Sequence, residues 1–219
     1  MLPKIDCKDR PDLGKADIAR GKGRPRCFDM EKALCAALKI FWEKGYEPTS
    51  VAELCRVMKI NPPSLYCSFG NKAALFLAAI EHYEKKYWTL PARNLMREPD
   101  LYRAIENYFA EAARILLSPD CPCGCMVVLA AVNISPVETE IIETIRSLRA
   151  KTTEMFAKRL SMAAREGQIP RDANIPALAG ALHIFLEGMS LQARDNVSLP
   201  QLLEMAARVT GLLPPRAGA

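Results

Sequence analysis

The sequence predicts an all-α protein. Apolar residues recur at the helical spacing of three and four positions along most of the 219 residues. The sequence lacks alternating runs of β-branched residues, and it lacks the Asn-Gly and Asp-Gly pairs typical of β-hairpins. Half of the residues are hydrophobic, which is enough to bury a substantial core in one or two domains.

Composition also bounds where the protein works. No apolar run approaches the roughly 18–20 residues that a membrane-spanning helix needs, and the first residues lack the apolar stretch of a signal peptide. We therefore expect a cytoplasmic protein that does not bind membranes. The eight cysteines should then be free thiols, because disulfides are rare in a reducing compartment.

The first predicted helix runs from Asp29, a plausible N-cap, to Gly45, a plausible stop. A second begins at Ser50, where Ser50 and Glu53 have the spacing of a capping box. Its apolar positions then fall on one face, namely Val51, Leu54, Cys55 and Met58.

A tight turn at Lys59 and Ile60 separates that helix from a third. Asn61 is a good N-cap for the third helix, and Pro62 suits its first position, where a missing N–H costs nothing. Leu65 and Phe69 lie four residues apart and should face inward. A fourth helix begins at Asn71.

Two short helices joined by a tight turn are typical of a helix-turn-helix, whose second helix enters the DNA major groove. Residues 49–75 read TSVAELCRVMKINPPSLYCSFGNKAAL, and this stretch resembles the TetR family of bacterial transcriptional regulators. The turn differs from that of many family members, which have a small residue and Gly where this sequence has Met58-Lys59. We therefore expect Lys59 to adopt a positive φ. Cys67-Ser68 also replaces a common aromatic, so the operator cannot be transferred from relatives.

The resemblance implies which residues contact double-stranded operator DNA. In this sequence they are Ser50, Pro62, Pro63, Ser64, Tyr66, Cys67, Ser68 and Lys72. Tyr66 and Lys72 would anchor phosphates, and Lys72 opens a helix whose dipole disfavours a cation there. Arg24 and Arg26 lie on a Gly- and Lys-rich arm that could reach the minor groove.

The charged residues are also distributed unequally between the two halves of the chain. Residues 1–92 contain 16 Lys and Arg against 11 Asp and Glu, whereas residues 93–219 contain 14 of each. The whole formal excess of +5 therefore lies in the half with the helix-turn-helix, and affinity for DNA should depend on salt.

Further helices are predicted at about 71–89, ending near Pro91, and then at 100–117, 124–133, 136–166, 173–192 and 198–212. We divide the chain into a flexible basic arm (1–22), a DNA-binding domain (23–75) and a helical ligand-binding and dimerisation domain (76–219).

The family mechanism implies a homodimer, here built from the last two helices, and a small-molecule effector that enters the C-terminal half and releases DNA. The candidate ligand contacts are polar side chains on otherwise apolar helices, together with apolar residues near them. They are His82, Tyr83, Asn107, Tyr108, Phe109, Met126, Asn133, Phe156, His183, Phe185 and Met189. An apolar or aromatic effector is the expectation.

Two alternatives stay open. Cys121, Cys123 and Cys125 could sense an oxidant or a soft metal, although their spacing is poor for zinc. A helical-bundle enzyme would need acid–base machinery, but the sequence has only two His and no H-E-x-x-H, nucleophile elbow or phosphate loop. We therefore predict no enzymatic activity, no cofactor and no dedicated metal site.

Overall fold

A computed structural model describes residues 29–119, 121–129 and 133–216, and over these residues the chain is helical without strands. The α-helices are α1 (Met30–Lys44), α2 (Val51–Met58), α3 (Pro62–Phe69), α4 (Lys72–Tyr83), α5 (Thr89–Arg97), α6 (Leu101–Leu116), α7 (Met126–Leu129), α8 (Thr139–Arg165), α9 (Ile175–Arg194) and α10 (Leu199–Ala207). A π-helical segment (Glu84–Trp88) joins α4 to α5, and a 3-10 turn (Val209–Leu212) follows α10. The all-α prediction is confirmed.

Side-chain caps start the first four helices as the sequence predicts. Ser50 accepts a hydrogen bond from the backbone N–H of Glu53, and Asn61 and Asn71 cap α3 and α4 in the same way. The predicted capping box at Ser50 is wrong, because the Glu53 carboxylate does not return to Ser50. It accepts a hydrogen bond from Lys44 Nζ at 2.6 Å instead.

The turn between α2 and α3 uses a left-handed residue. Lys59 has φ 57° and ψ 40°, as its place at the end of α2 required. Leu54 and Leu65, one from each helix, are fully buried beneath this turn. The predicted pair of helices therefore has the geometry of a helix-turn-helix.

The predicted helix end near Pro91 is wrong. The helical path continues from α4 through the π-helical segment into α5 and ends at Arg97. Pro91 is the third residue of α5, and its missing N–H falls just after the π-helical segment, where the hydrogen-bonding register of the helix changes. One continuous, irregular helical rod therefore leads from the helix-turn-helix into the C-terminal half.

The buried side chains form two clusters. The first packs α1–α4 together with Met126 of α7 and Ile141 of α8, and the second packs α5, α6 and α8–α10. Helices α8 and α9 pack along each other, as do α1 and α4. In the part of the chain that the structure describes, no helix is both long and apolar enough to cross a membrane.

Candidate nucleic-acid interface and ligand cavity

The outer surface of α3 carries most of the residues expected to contact DNA. Pro62, Pro63, Tyr66, Cys67 and Ser68 are exposed, and Tyr66 presents half of its surface to solvent. Ser64 is partly buried, and Ser50 is exposed at the start of α2. A short helix with this much uncovered apolar and hydroxyl surface is suited to contacting base edges in the major groove.

Lys72 has intrachain partners, contrary to the reasoning that singled it out. Its Nζ lies 4.2 Å from the centre of the Tyr46 ring and donates a hydrogen bond to the carbonyl of Glu47 at 3.3 Å. Burial lowers its pKa, while the charges of Glu47 and Glu138 oppose that shift. The cation at the start of α4 is therefore partly explained by contacts to the segment after α1.

Two other cations near the turn were missed in the sequence. Arg56 and Lys59 are both exposed, whereas α3 itself contains no charged residue. Arg56 belongs to α2 and Lys59 to the turn, and neither occupies a position of the family motif. Only the fold shows that they lie in the same region as α3. Arg24 and Arg26 lie outside the described residues.

A cavity of about 520 Å³ lies in the C-terminal half. Its walls come from α4, the π-helical segment, α5, α6, the start of α7, α8 and α9. The main lining residues are Glu81, Glu84, Lys85, Trp88, Tyr108, Cys125, Val127, Val128, Leu148, Arg149, Lys151, Met155, His183, Leu186 and Glu187. The volume is in the range of small-molecule sites.

Only two of the predicted ligand residues, Tyr108 and His183, line this cavity. Tyr83, Phe109, Met126, Phe156 and Met189 are buried elsewhere in the two cores, and Phe185 packs against Phe109. Asn107 and Asn133 are exposed. His82 Nε2 lies 3.3 Å from Cys35 Sγ of α1 and belongs to the contact between α1 and α4. The helical spacing of apolar residues predicted which positions are buried, but it could not predict where a cavity remains between the helices.

Glu84, which the sequence analysis did not single out, is the inner acid of the cavity. It is the first residue of the π-helical segment and is partly buried. Burial raises its pKa to about 7, although the positive charge of Lys151 opposes the shift. Single-turn π-helical insertions often occur at functional sites.

The other inner charges are matched to one another. Arg149 Nε lies 3.7 Å from Glu187 Oε1, and Arg149 Nη2 donates a hydrogen bond to the carbonyl of Val127 at 3.2 Å. His183 Nδ1 and Thr153 Oγ1 share a hydrogen bond of 2.7 Å, and burial lowers the pKa of His183 below 6.5. The imidazole is therefore neutral at pH 7.

The cysteine-rich loop before α7 touches both halves of the protein. Burial raises the pKa of Cys125 to about 11, and Tyr83 Oη donates a hydrogen bond to its Sγ at 3.3 Å. A buried neutral thiol is a poor nucleophile. Cys121 Sγ and Tyr87 Oη share a hydrogen bond of 2.8 Å. Among the described residues no three metal-binding side chains come together.

Gly124 ties this loop to α1 and α9. Its φ is +86°, and an added Cβ would lie 2.2 Å from Leu129 Cδ1 and 2.9 Å from the carbonyl oxygen of Ser190. Its own carbonyl accepts a hydrogen bond of 2.9 Å from the indole of Trp42. The loop therefore connects the cavity wall at Cys125 directly to the first helix of the DNA-binding half.

Comparison with known proteins places these features in context. Residues 33–79 match the family model described as bacterial regulatory proteins, tetR family. The chain is 32% identical to the HTH-type transcriptional repressor ComR of Escherichia coli K12, over 90% of this chain and 94% of that protein. It is 29% identical to the repressor BdcR of the same organism, over 86% and 91%. A cysteine mutant of the TetR family regulator CifR, complexed with 26-bp operator DNA, superposes with a TM-score of 0.84 at 32% identity, covering 88% of this chain and 100% of that one.

Proposed function

This chain belongs to the TetR family of bacterial regulatory proteins, and we propose that it is a homodimeric repressor released from its operator by a small molecule bound in the cavity. It is a DNA-binding transcriptional regulator and not an enzyme. Repression is proposed because its relatives ComR and BdcR are named as repressors. We also propose that it acts in the cytoplasm, where operator DNA is accessible.

For DNA contact we propose the exposed face of α3 with Ser50, flanked by cations. The base contacts would come from Pro62, Pro63, Ser64, Cys67 and Ser68. Tyr66 and Lys72 would contact phosphates, with Arg24 and Arg26 in the minor groove, and Arg56 and Lys59 are added as phosphate contacts because both are exposed beside α3. Since α3 itself is uncharged, the salt dependence of binding should come from the flanking cations.

The dimer is proposed to form through α9 and α10. Ile184 of α9 is 70% exposed, and Leu191, Met205 and Leu212 also present large apolar surfaces. Space is open beside Gly180 and Gly188, where a second helix could approach closely. An isologous dimer through these helices would place two α3 helices over successive major grooves, about 34–36 Å apart.

The observation that carries the release mechanism is the shared wall between the cavity and the DNA-binding half. The π-helical segment lines the cavity and continues into α4, which packs on α1. The Gly124 carbonyl accepts a hydrogen bond from Trp42 of α1, and the next residue, Cys125, lines the cavity. A ligand can release DNA only if it binds the DNA-incompetent arrangement more tightly, and these contacts give the two arrangements a way to differ.

The proposal can be tested by filling the cavity. Ala92 lines it, whereas Ala110 of α6 lies outside it in a surface groove. Ala92→Phe should keep operator binding but lose release by a panel of hydrophobic compounds that release the wild type, and Ala110→Phe should keep both. Equal release of all three proteins would place the effector elsewhere.

A cysteine trigger is separated by a second arm of the same assay. We expect hydrophobic compounds to release a variant in which Cys121, Cys123 and Cys125 are all Ser, because the raised pKa of Cys125 keeps its partly buried thiol neutral. If peroxide or soft metals alone release the wild type, and the triple variant resists them, the trigger is thiol chemistry instead.

A further inference from the structure

The Glu84 carboxyl is the unmatched charge inside the cavity. Among the described residues it has no hydrogen bond and no ion pair within 4 Å. Lys151 acts on it only at longer range and is itself exposed, so water solvates its ammonium group. A partly buried carboxylate without a partner loses some of its hydration, and a ligand that supplied a cationic partner would recover that cost.

The remaining inner charges leave no equivalent site for an anion. Glu187 already faces Arg149, whose guanidinium also donates to a backbone carbonyl. His183 is neutral at pH 7 and hydrogen-bonded to Thr153. The exposed Lys85 and Lys151 belong to the rim of the cavity. Arg149 Nε lacks a hydrogen-bond acceptor but has its counter-charge in Glu187 at 3.7 Å, so the lining charge without a counter-charge is the Glu84 carboxylate.

Two aromatic rings line the same cavity as this carboxyl. Trp88 is four residues after Glu84 in the same π-helical segment, and its ring centre lies 6.3 Å from that of Tyr108. Both rings line the cavity. The faces of tryptophan and tyrosine attract cations, most strongly where water is excluded, and an acid beside them adds a charge-assisted hydrogen bond.

We propose that the effector is an amphipathic cation, whose protonated nitrogen binds Glu84 and whose apolar body lies against Trp88, Val128 and Met155. This inference rests on the proposed function, because it takes the cavity to be the effector site. It narrows the expected effector from any hydrophobic molecule to a hydrophobic amine.

Three probes of one shape and three charges test the proposal: 2-naphthylmethylamine, 2-naphthylmethanol and 2-naphthoate. Calorimetric titration of the full-length protein at pH 7.5 should show the amine binding about tenfold more tightly than the alcohol, equivalent to one favourable charged contact. Glu84→Gln should remove this preference. The matched control Glu81→Gln, which changes an exposed acid on the rim of the same cavity, should keep it.

A pH series on the wild type gives a readout that needs no variant. Because Glu84 must lose its proton to bind a cation, the affinity for the amine should rise about fourfold from pH 6.5 to pH 8, while that for the alcohol stays flat. Burial lowers the pKa of His183 below 6.5, so more than half of its titration is complete before this range begins. The other titratable or charged groups that line the cavity with Glu84 are Glu81, Lys85, Tyr108, Cys125, Arg149, Lys151 and Glu187.

The outcomes separate this inference from the proposed function. If the amine and the alcohol bind equally and both release operator DNA, the cavity is the effector site but the charge inference is wrong. If the amine binds selectively through Glu84 without releasing DNA, the preference of the cavity for cations stands, but the proposed function, in which the cavity is the effector site, fails. Tighter binding of the naphthoate, or no binding of any probe, overturns the inference.

Discussion

Replacing Glu84 by Gln should stabilise the empty protein at neutral and alkaline pH. The pKa of this carboxyl rises from 4.5 to about 7 on folding, mainly because burial disfavours its charged form. The folded state then binds more protons than the unfolded chain between these values, so stability falls as pH rises from 4.5 to 7. At about 1.4 kcal/mol per unit of pKa, the full penalty above pH 7 is about 3 kcal/mol.

Glutamine keeps the shape of the side chain and removes its titration. The stability gained by Glu84→Gln should therefore be about 2.5 kcal/mol larger at pH 8 than at pH 5. Urea unfolding at both pH values measures this difference, with the protomer concentration fixed because dimerisation contributes to stability. The matched Glu81→Gln variant should follow the wild type at both pH values, since water reaches that carboxylate in the folded protein. If the stability difference between wild type and Glu84→Gln is the same at pH 5 and pH 8, the carboxyl is not desolvated on folding and this prediction is wrong.

Three further predictions concern other parts of the molecule. Lys72→Ala should weaken binding to all DNA sequences alike and reduce the salt slope by about one unit, whereas Lys158→Ala on α8 should leave both unchanged; an unaltered slope would limit Lys72 to its contacts with the segment after α1. Ile184→Asp should convert the dimer to monomers at micromolar concentration in sedimentation, whereas Val137→Asp, at a residue even more exposed than Ile184, should not; a dimeric Ile184→Asp protein would place the interface elsewhere. Gly124→Ala should cost about 2–3 kcal/mol in thermal or urea unfolding, because its φ is positive and a backbone oxygen lies 2.9 Å from the new Cβ; a change below about 0.5 kcal/mol would mean that the loop adapts.

The sequence predicted the helix-turn-helix well because its signals are local. The caps at Ser50, Asn61 and Asn71 each depend on a side chain reaching a backbone N–H three residues ahead. The left-handed residue Lys59 follows from the short turn alone. Such features need no knowledge of how distant helices pack.

What the sequence did not predict depends on contacts between distant segments. The cation at Lys72 was assigned to a phosphate because its partners Tyr46 and Glu47 lie about 25 residues earlier and meet it only in the fold. The predicted helix end at Pro91 failed because a π-helical segment precedes it. Glu84 belongs to no sequence motif, and only the fold shows that it lines the cavity together with residues of α8 and α9.

The cost of burying Glu84 is of the size that an allosteric switch requires. Coupling free energies between two sites are typically about 1–3 kcal/mol, corresponding to changes in affinity of about 5- to 150-fold. The penalty of about 3 kcal/mol at this carboxyl could supply that range if its cationic partner is bound only in the arrangement released from DNA. Glu84 lies at the first residue after α4, where the hydrogen-bonding register of the rod changes. A ligand that pairs with it there would act on the residue that follows α4, and α4 packs against α1, so binding in the cavity would bear directly on the DNA-binding half.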